Sequence, residues 1–412
     1  MPAKKRILIV TDSYPPELRS ASELMRDLAE GLSEDGHEVY AVTSYPRFNL
    51  ADGEVKEYPE ISTEGGVKVL RVKVLPHHKV NFIFRGIAQL LLPHLFYRAV
   101  RKNISGKLDF VILHSPPLPL SSVSAKIAKK YGGKYILNLH DFFPQNAVDL
   151  GILKSRPIVK FFEIMESRAY RAADKIVVPS ESHKHFLAEH RNIGSSKVAV
   201  IPHWIDTAPF TAVKRTGKYR KLYGLENKFI FLFAGVLGPS QGLDFVLKIA
   251  ERVREEKDIH FLFVGDGMMK LALMKYAAEH NLENVSFEPF VSKEEYPLLV
   301  KDADVGIISL TDKNRTPAVP AKLMGYMAGS IAAIGFLHAE SDASLIIAES
   351  KCGLTAPFGD LDKGVEAVKN LYLGRAEIGK LGENAFNHTL KYFSKSVCLK
   401  EWEDVLSFAD TE

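Results

Sequence analysis

The sequence predicts a parallel α/β protein built from two domains, and three observations lead to this prediction. The chain has 412 residues, 46% of them hydrophobic and 25% charged, which exceeds the length that one hydrophobic core usually supports. Short apolar runs recur at spacings that admit an intervening helix, as in sheets whose strands are buried on both faces. A second series of such runs starts near residue 228, after a loop. We therefore expect two sheets, each with its own core.

The first series of runs defines an N-terminal domain, which we place at residues 1–208. Its first strand–helix–strand unit comprises RILIVT, a helix from about Ala21 to Leu32, and HEVYAVT. The series continues with the apolar runs DFVILH, KYILNLH and KIVVPS. Each of these runs is short enough to be a buried strand of a parallel sheet.

The second series defines a C-terminal domain, which we place at residues 209–393. Its strands are expected at KFIFLFAG, HFLFVGDG, VSFEPF, DVGIISL and SIAAIGF. The segment before them, residues 198–210, is VAVIPHWIDTAPF, a strand end followed by a loop. We therefore expect the domain boundary close to Pro209.

The composition excludes several classes of protein. The two cysteines, Cys352 and Cys398, are too few for a disulfide framework or a cysteine metal site and favour the cytoplasm. The N-terminal MPAKKRILIVTD passes directly into a short strand, without the longer apolar region of a signal peptide. Because no stretch approaches the roughly 18 apolar residues of a spanning helix, a soluble or peripheral protein is expected.

Residues 65–108 combine positive charge with a long apolar helix. This segment includes NFIFRGIAQLLLPHLFYRAVRKN, in which side chains such as Phe84, Leu91, Leu92 and Phe96 suit a membrane interface while bases such as Arg98 meet anionic headgroups. The alternative is a core helix with its bases on a solvated face. No recognition motif for nucleic acid accompanies the charge, so nucleic acid is not an expected partner. The segment has no acidic residue and contains these bases: Lys68, Arg71, Lys73, Lys79, Arg85, Arg98, Arg101, Lys102 and Lys107.

Two glycine-containing loops follow strands of the second domain, at the sheet edge where α/β proteins bind ligands. The first loop carries Gly235, Gly238 and Gly242 before a helix, so that a backbone or a ligand can approach the positive end of that helix closely. In the second loop, Gly265 and Gly267 precede Lys270, which is placed to face a phosphate. The alternative for the second loop is a purely structural turn. The first turn of the chain, TDSYPPELRSAS, has no G-x-G-x-x-G pattern, which disfavours a nicotinamide dehydrogenase.

A third loop, ending in the sequence TPAVPAKLMGYMAG at residues 316–329, has no acidic residue between Asp312 and Glu340. Pro320 suits the first turn of a helix, whose unpaired amides and dipole attract anions. Lys322 and Arg315 would add to that positive field. The stretch therefore predicts a seat for a diphosphate or nucleotide, the alternative being that Lys322 merely extends to solvent.

Seven motifs in one order carry a resemblance to a known family. They are YPPE near the start, GHEV at 36–39, HDFFP at 140–144, LGPSQGLD at 237–244, VGDGMMK, VPAKLMGYMAG and PFGD at 357–360. Over nearly its full length the chain resembles the retaining GT-B glycosyltransferases of family 4, in particular the bacterial branch that builds O-antigen and capsule-like polysaccharides and includes fucosamine transferase-like proteins.

The resemblance implies two Rossmann-like domains that face each other across a cleft. It also implies that the C-terminal domain binds a nucleotide sugar, taken here as a UDP-sugar, that the N-terminal domain binds a lipid-linked saccharide acceptor, and that no metal or other cofactor is needed. The last helix, expected within residues 394–412, would cross back onto the first domain. The expected location is the cytoplasm, peripheral to the inner face of the membrane.

Four positions depart from the family pattern. The glycine-rich first turn of the family is here serine and alanine, beginning at Ser20, and the usual lysine of the second-domain loop is Gln241. Two carboxylates that many members place eight residues apart correspond to Pro317 and Gly325. The second of them usually holds the ribose, so Asp342 or Glu340 would have to compensate, unless both are simply solvated loop acids.

The implied chemistry is front-face transfer of a glycosyl group with retention, assisted by the donor diphosphate as base. His140 and Asp141 follow the strand YILNL, where the acceptor and the sugar should meet, and His114 is a weaker candidate there. Capping of a loop or helix is the alternative for His140. Lys270 would stabilise the departing diphosphate. Two other functions stay open: a catalytically reduced binding or scaffold subunit, suggested by Gly325 and Gln241, and a nucleotide-sugar epimerase. The oligomeric state is not specified by the sequence.

Overall fold

The computed structural model describes residues 4–17, 19–47, 50, 57–76, 82–313 and 316–410. The chain divides into two compact units, the first comprising Met1–Pro202 with Cys398–Glu412 and the second His203–Val397. Near the expected boundaries at 208 and 393, the two connecting segments pair with each other. Ile205 donates its amide to the carbonyl of Phe393 at 2.9 Å and accepts from the amide of Lys395 at 3.2 Å.

The first unit contains an eight-stranded sheet with the order β3-β4-β2-β1-β5-β6-β7-β8. All neighbouring strands are parallel except the edge pair β3 and β4. The strands are β1 (Arg6–Val10), β2 (Glu38–Ser44), β3 (Ile61–Glu64), β4 (Val67–Val72), β5 (Phe110–Ser115), β6 (Lys134–Leu139), β7 (Lys175–Val178) and β8 (Val198–Val200). The helices are α1 (Ser20–Glu34), α2 (Phe82–Asn103), α3 (Leu120–Tyr131), α4 (Gln145–Asp149), α5 (Arg156–Ala172) and α6 (Glu181–Arg191).

The second unit contains a six-stranded, fully parallel sheet with the order β11-β10-β9-β12-β13-β14. The strands are β9 (Phe229–Ala234), β10 (Ile259–Val264), β11 (Val285–Glu288), β12 (Val305–Ser309), β13 (Ala332–Phe336) and β14 (Gly353–Ala356). The helices are α7 (Ala208–Ala212), α8 (Lys218–Leu222), α9 (Leu243–Arg252), α10 (Lys270–Glu279), α11 (Tyr296–Asp302), α12 (Ala321–Ala328), α13 (Asp342–Ser350), α14 (Leu361–Leu373) and α15 (Ile378–His388). The prediction of two α/β units with parallel sheets is confirmed.

The last helix, α16 (Lys395–Leu406), begins at the end of the second unit and completes the core of the first. Trp402 is fully buried, and the ammonium of Lys5 donates to the carbonyl of Leu406 at 2.7 Å. The His37 ring lies 3.0 Å from the Glu403 carboxylate. Residues 398–406 are therefore integral to the first unit.

Each sheet has one point where the strand order reverses direction, and parallel α/β sheets bind ligands beside that point, at the carboxyl ends of the strands. In the first unit the reversal lies between β1 and β5, and in the second between β9 and β12. Strands β9 and β12 pair only through Val305 and Gly306, so they separate toward their carboxyl ends. The hydroxyl of Tyr326 accepts from the amide of Ala234 at 3.0 Å in the space between them.

Helix α2 packs one face into the core and exposes Arg98, Arg101 and Lys102 to solvent, as expected of a core helix with its bases on a solvated face. Leu92 and Phe96 are fully buried, which corrects their assignment to a membrane-embedded face. Phe84 and Leu91 remain exposed, at 39% and 45%. Among the described residues, the structure contains no helix with the length and apolarity needed to span a bilayer.

Candidate functional site

The side chain of Lys322 lies in the second unit, next to the point where strand order reverses. It belongs to the first turn of α12, and its ammonium donates to the amide oxygen of Gln241 at 2.9 Å. The same ammonium lies 4.8 Å from the centre of the buried Phe233 ring of β9. No carboxylate pairs with Lys322 among the described residues. Burial lowers the pKa of Lys322 to about 8, which identifies a desolvated cation without a counter-ion.

Gly235 makes room for this lysine. The glycine follows β9 with a φ of +142°, and a Cβ built there would lie 3.0 Å from Cε of Lys322. The side-chain carbonyl oxygen of Gln241 accepts the hydrogen bond from Lys322. Since two lysines at these positions would repel each other, the glutamine fits a site whose positive charge comes from α12 instead.

Only glycine fits at positions 265 and 267, because the backbone of a neighbouring loop lies too close for a side chain. This supports the alternative that the second loop is a structural turn. Both glycines have φ angles near +155°, and a Cβ at Gly265 would lie 1.9 Å from the carbonyl oxygen of Gly235. A Cβ at Gly267 would lie 2.5 Å from the carbonyl oxygen of Leu237. The loops after β9 and β10 are thereby packed backbone against backbone. Gly238, by contrast, faces open space apart from a contact 3.9 Å away with Val236.

Lys270, the first residue of α10, is held at the edge of the same pair of loops. Its ammonium donates to the carbonyl of Gly265 at 2.9 Å and lies 3.5 Å from the carbonyl of Glu288. Lys322 lies beside Gly235, and Lys270 contacts Gly265, which packs against Gly235, so the two lysines flank adjacent loops. Two cations beside adjacent loops at the carboxyl edge of the sheet form a seat that suits a dianion.

Two helices begin beside these lysines without a side-chain cap. α12 follows Pro320, whose φ and ψ are −70° and 116°, and α9 follows Gly242. Their first backbone amides therefore lack side-chain acceptors and point toward the carboxyl edge of the sheet. Arg315, the third predicted cation, lies outside the described residues.

Gly325 lies on the buried face of α12, opposite a tyrosine. A Cβ at this position would lie 2.5 Å from the hydroxyl oxygen of Tyr296, the first residue of α11. The Tyr296 hydroxyl therefore fills the space that a side chain at position 325 would need. Sequence reasoning missed Tyr296, because it precedes Gly325 by 29 residues and shares no motif with it.

We expect Gly325→Glu to lower the free energy of unfolding by at least about 3 kcal/mol, because it adds a charged side chain where Tyr296 already fills the space. Gly325→Ala should cost about 1–3 kcal/mol, and less in a Tyr296→Phe background, which lacks the blocking oxygen. Urea denaturation of the three variants measures these differences. A Gly325→Glu protein as stable as the parent would contradict the close contact between Tyr296 of α11 and Gly325 of α12.

Asp342 and Glu340 differ in their surroundings. Asp342 is only 4% exposed in the first turn of α13, after Ser341, whose hydroxyl accepts from the amide of Ser344. A carboxylate there complements the helix dipole. Glu340 lies on the exposed loop before the helix. Asp342 is thus not simply a solvated loop acid, whereas Glu340 is.

The first unit brings polar residues together at its own reversal point, between β1 and β5. Asp12 follows β1 and lies 3.9 Å from a guanidinium nitrogen of Arg19. His114 of β5 is 3% exposed, and burial lowers its pKa to about 4. Its buried Nδ1 has no hydrogen-bond partner among the described residues. The imidazole is therefore neutral near pH 7, and its Nδ1 can still form a hydrogen bond.

His140 lies beside His114, so the two predicted histidines belong to one cluster. Their ring centres are 4.4 Å apart with the planes at 64°. The amide of His140 donates to the carbonyl of Ser115 at 3.0 Å, which fixes the end of β6 against β5. Asp141 is exposed at the start of the following turn.

Asp12 and Arg19 were missed from the sequence, although the rule that polar residues follow apolar runs applies to Asp12 directly. Ser20 is exposed as the first residue of α1. Ser22 is fully buried instead, and its hydroxyl lies 2.5 Å from that of Ser13. The small residues at the start of α1 therefore pin the helix to the loop after β1.

Two α/β units with predominantly parallel sheets of eight and six strands match the GT-B fold of glycosyltransferases. Among solved structures, HepE of Anabaena in complex with UDP is similar, with a TM-score of 0.72 and 14% identity over 98% of this chain and 99% of that one. The likeness shows that the fold is GT-B.

Sequence comparison then specifies the class. Residues 21–209 match Glycosyltransferase Family 4, and residues 228–373 match Glycosyl transferases group 1. A relative from Escherichia coli named as the colanic acid biosynthesis glycosyl transferase WcaI is 25% identical, over 78% of this chain and 81% of its own. The glycosyltransferase WbjE of Pseudomonas aeruginosa is also 25% identical, over 69% of this chain and 70% of its own. The chain is a glycosyltransferase of the GT-B fold.

Proposed function

We propose that this glycosyltransferase moves a sugar, with retention, from a UDP-sugar to a lipid-linked saccharide in the synthesis of a cell-envelope polysaccharide. It would act at the cytoplasmic face of the membrane and use no metal or other cofactor. The observation that carries the proposal is the ammonium of Lys322 at the carboxyl edge of the second sheet, which is hydrogen-bonded to Gln241 but has no carboxylate partner among the described residues. A diphosphate is the counter-ion that such a site lacks.

The two lysines explain how the leaving group would be stabilised. Negative charge grows on the donor diphosphate as the glycosidic bond breaks, and fixed cations in a partly desolvated site stabilise that charge. Contacts with Gln241 and Phe233 hold the Lys322 ammonium at the sheet edge. The carbonyl of Gly265 holds the Lys270 ammonium. Little reorganisation is then needed during the reaction.

The histidine cluster of the first unit suits the acceptor. A neutral imidazole accepts or donates a hydrogen bond without adding charge, and His114 is kept neutral by burial. His140 and the exposed Asp141 would orient the acceptor hydroxyl and the sugar hydroxyls. In this mechanism the acceptor oxygen bonds to the anomeric carbon on the face from which the diphosphate departs, and the departing diphosphate takes the acceptor proton. No side chain is then needed as nucleophile or as general base.

The nature of donor and acceptor is supported by three observations. UDP is bound by the structurally similar HepE, which favours a UDP-sugar here. The relative WcaI is named for the synthesis of colanic acid, a polysaccharide. The exposed face of α2 carries Phe84 and Leu91 with the exposed Arg98 farther along the helix, which suits contact with a membrane that holds the acceptor.

The test combines binding and product analysis on the purified protein. A thermal-shift screen of nucleoside diphosphates and nucleotide sugars should show selective stabilisation by UDP and a UDP-sugar, because a ligand of the folded state raises apparent stability. Incubation of that UDP-sugar with membranes should then extend a lipid-linked saccharide, with retained anomeric configuration. UDP binding without transfer would favour the scaffold alternative, and altered sugar stereochemistry would favour an epimerase.

A further inference from the structure

Helix α5 of the first unit exposes a row of large apolar side chains. Ile158, Phe161 and Ile164 are 43%, 48% and 43% exposed, and Ile152 before the helix is 59% exposed. Spacings of three residues place them on adjacent turns along one side of α5. Soluble surfaces seldom gather so many exposed aliphatic and aromatic groups without a partner.

A basic groove of about 600 Å³ lies beside this row, between α4 and the start of α5. Lys154, Arg156 and Lys160 line it, and its one acidic residue is Glu163, which pairs with Lys160 at 3.2 Å. Lys154 and Arg156 form no ion pair among the described residues. The groove therefore presents uncompensated positive charge beside apolar groups.

The charge extends across the neighbouring helices. α3 contacts both α2 and α5, so the three helices form one continuous layer. Within this layer the only acids are Glu163 and Glu166, and Glu166 is buried and paired with Arg191 at 3.0 Å. The whole chain, by contrast, has nearly balanced charges, with 54 basic and 50 acidic residues. Among residues whose side chains the structure describes, the layer carries ten bases: Arg98, Arg101, Lys102, Lys126, Lys129, Lys130, Arg156, Lys160, Arg168 and Arg171.

We infer that α5 and the groove beside it form a second docking surface for an anionic phospholipid bilayer, which rests on the membrane location of the proposed function. Ile158, Phe161 and Ile164 would enter the interfacial region, and Lys154 and Arg156 would contact lipid phosphates. Charge complementarity favours lipid over a protein partner, since protein interfaces are depleted in lysine at their centres. The bilayer would then contact α2 and α5 on either side of the basic helix α3.

Docking through α5 has a direct connection to the candidate acceptor site. The Phe162 ring of α5 packs edge-on against Phe143, with centres 4.9 Å apart. Phe143 comes two residues after Asp141, in the loop that also carries His140. A bilayer bound at α5 would thus lie close to the residues proposed to orient the acceptor, which suits an acceptor that stays in the membrane.

Co-sedimentation with phosphatidylglycerol–phosphatidylcholine vesicles tests the inference on the full chain. The triple variant Ile158→Ser, Phe161→Ser, Ile164→Ser should bind at least about tenfold more weakly. The single variants Lys154→Gln and Arg156→Gln should each bind anionic vesicles on the order of fivefold more weakly. Their binding to neutral vesicles should not change. Matched controls are Leu373→Ser, an exposed leucine of the second unit, and Lys248→Gln, an exposed lysine of α9; both should bind as the parent does.

A parallel variant of α2, with Phe84→Ser, Leu91→Ser and Arg98→Gln, separates this inference from the proposed function. The α2 variant and the α5 variants should all keep the parental affinity for UDP. If the α2 variant loses vesicle binding and folded α5 variants do not, α5 is no docking surface while the proposed membrane location stands. A parent that does not bind vesicles overturns both membrane proposals and leaves the donor site intact. If the parent self-associates through α5, seen as a smaller species for the serine variant on size exclusion, the face is a protein interface and the inference is wrong.

Discussion

Lys322→Met should lose on the order of 10² to 10³ in turnover while becoming more stable than the parent. The ammonium is partly desolvated without a carboxylate partner, and its pKa falls from 10.5 to about 8. Each unit of such a shift corresponds to about 1.4 kcal/mol, so after allowance for partial exposure we expect a gain of about 1–3 kcal/mol in the free energy of unfolding. Methionine keeps much of the apolar contact with Phe233 and removes the charge.

The gain in stability has a defined pH dependence. Because the pKa of Lys322 is lower in the folded state, the cost of its charge is fully present below pH 8 and disappears as pH rises toward 10.5. Urea denaturation of parent and variant at pH 7 and pH 10.5 measures the difference, and turnover is measured at pH 7. Equal stability at pH 7, together with parental turnover, would show that Lys322 is an ordinary solvated lysine.

Lys270→Ala should lower kcat on the order of 10², if one electrostatic contact to the leaving group has its usual effect. Charge on the diphosphate grows toward the transition state, so turnover should fall more than affinity for the intact donor. Uridine, which lacks phosphate, should bind almost normally. Initial rates and calorimetric titrations with UDP and uridine provide the measurement.

The matched control for Lys270 is Lys275→Ala in the same helix. The Lys275 side chain is 75% exposed and lies 3.7 Å from Glu279, so its removal should leave turnover unchanged. Lys270 also donates to the carbonyl of Gly265, and circular dichroism must therefore confirm the fold of the variant. A folded Lys270→Ala protein with parental kcat would exclude Lys270 from the diphosphate seat.

The fold was predictable because strands buried on both faces appear in the sequence as continuous apolar runs, such as FIFLFA in β9. The expected domain boundaries at 208 and 393 stay predictions. The backbone hydrogen bonds of Ile205 to Phe393 and Lys395 near them could not be predicted from the side-chain pattern. Helix α2 was predicted, but not which of its faces packs on the sheet.

The location of candidate residues was predictable from local sequence and not where it depends on packing. Lys322 was selected because it follows Pro320 at a helix start, in a stretch without acidic residues. The reason for glycine at 265, by contrast, is a carbonyl oxygen of a neighbouring loop. His114 was ranked below His140, but the structure places it at the reversal point, next to Asp12 and Arg19, because strand order is a property of the folded sheet.

The position of α16 determines the order in which the two units can mature during synthesis. Cys398, Trp402 and Leu406 are fully buried in the first unit, yet the ribosome adds them after the whole second unit. The second unit is continuous in sequence and can fold as soon as it emerges, whereas the N-terminal unit waits with an incomplete core. We therefore expect the surface that α16 covers to stay accessible to chaperones and proteases until residues 395–406 have left the ribosome.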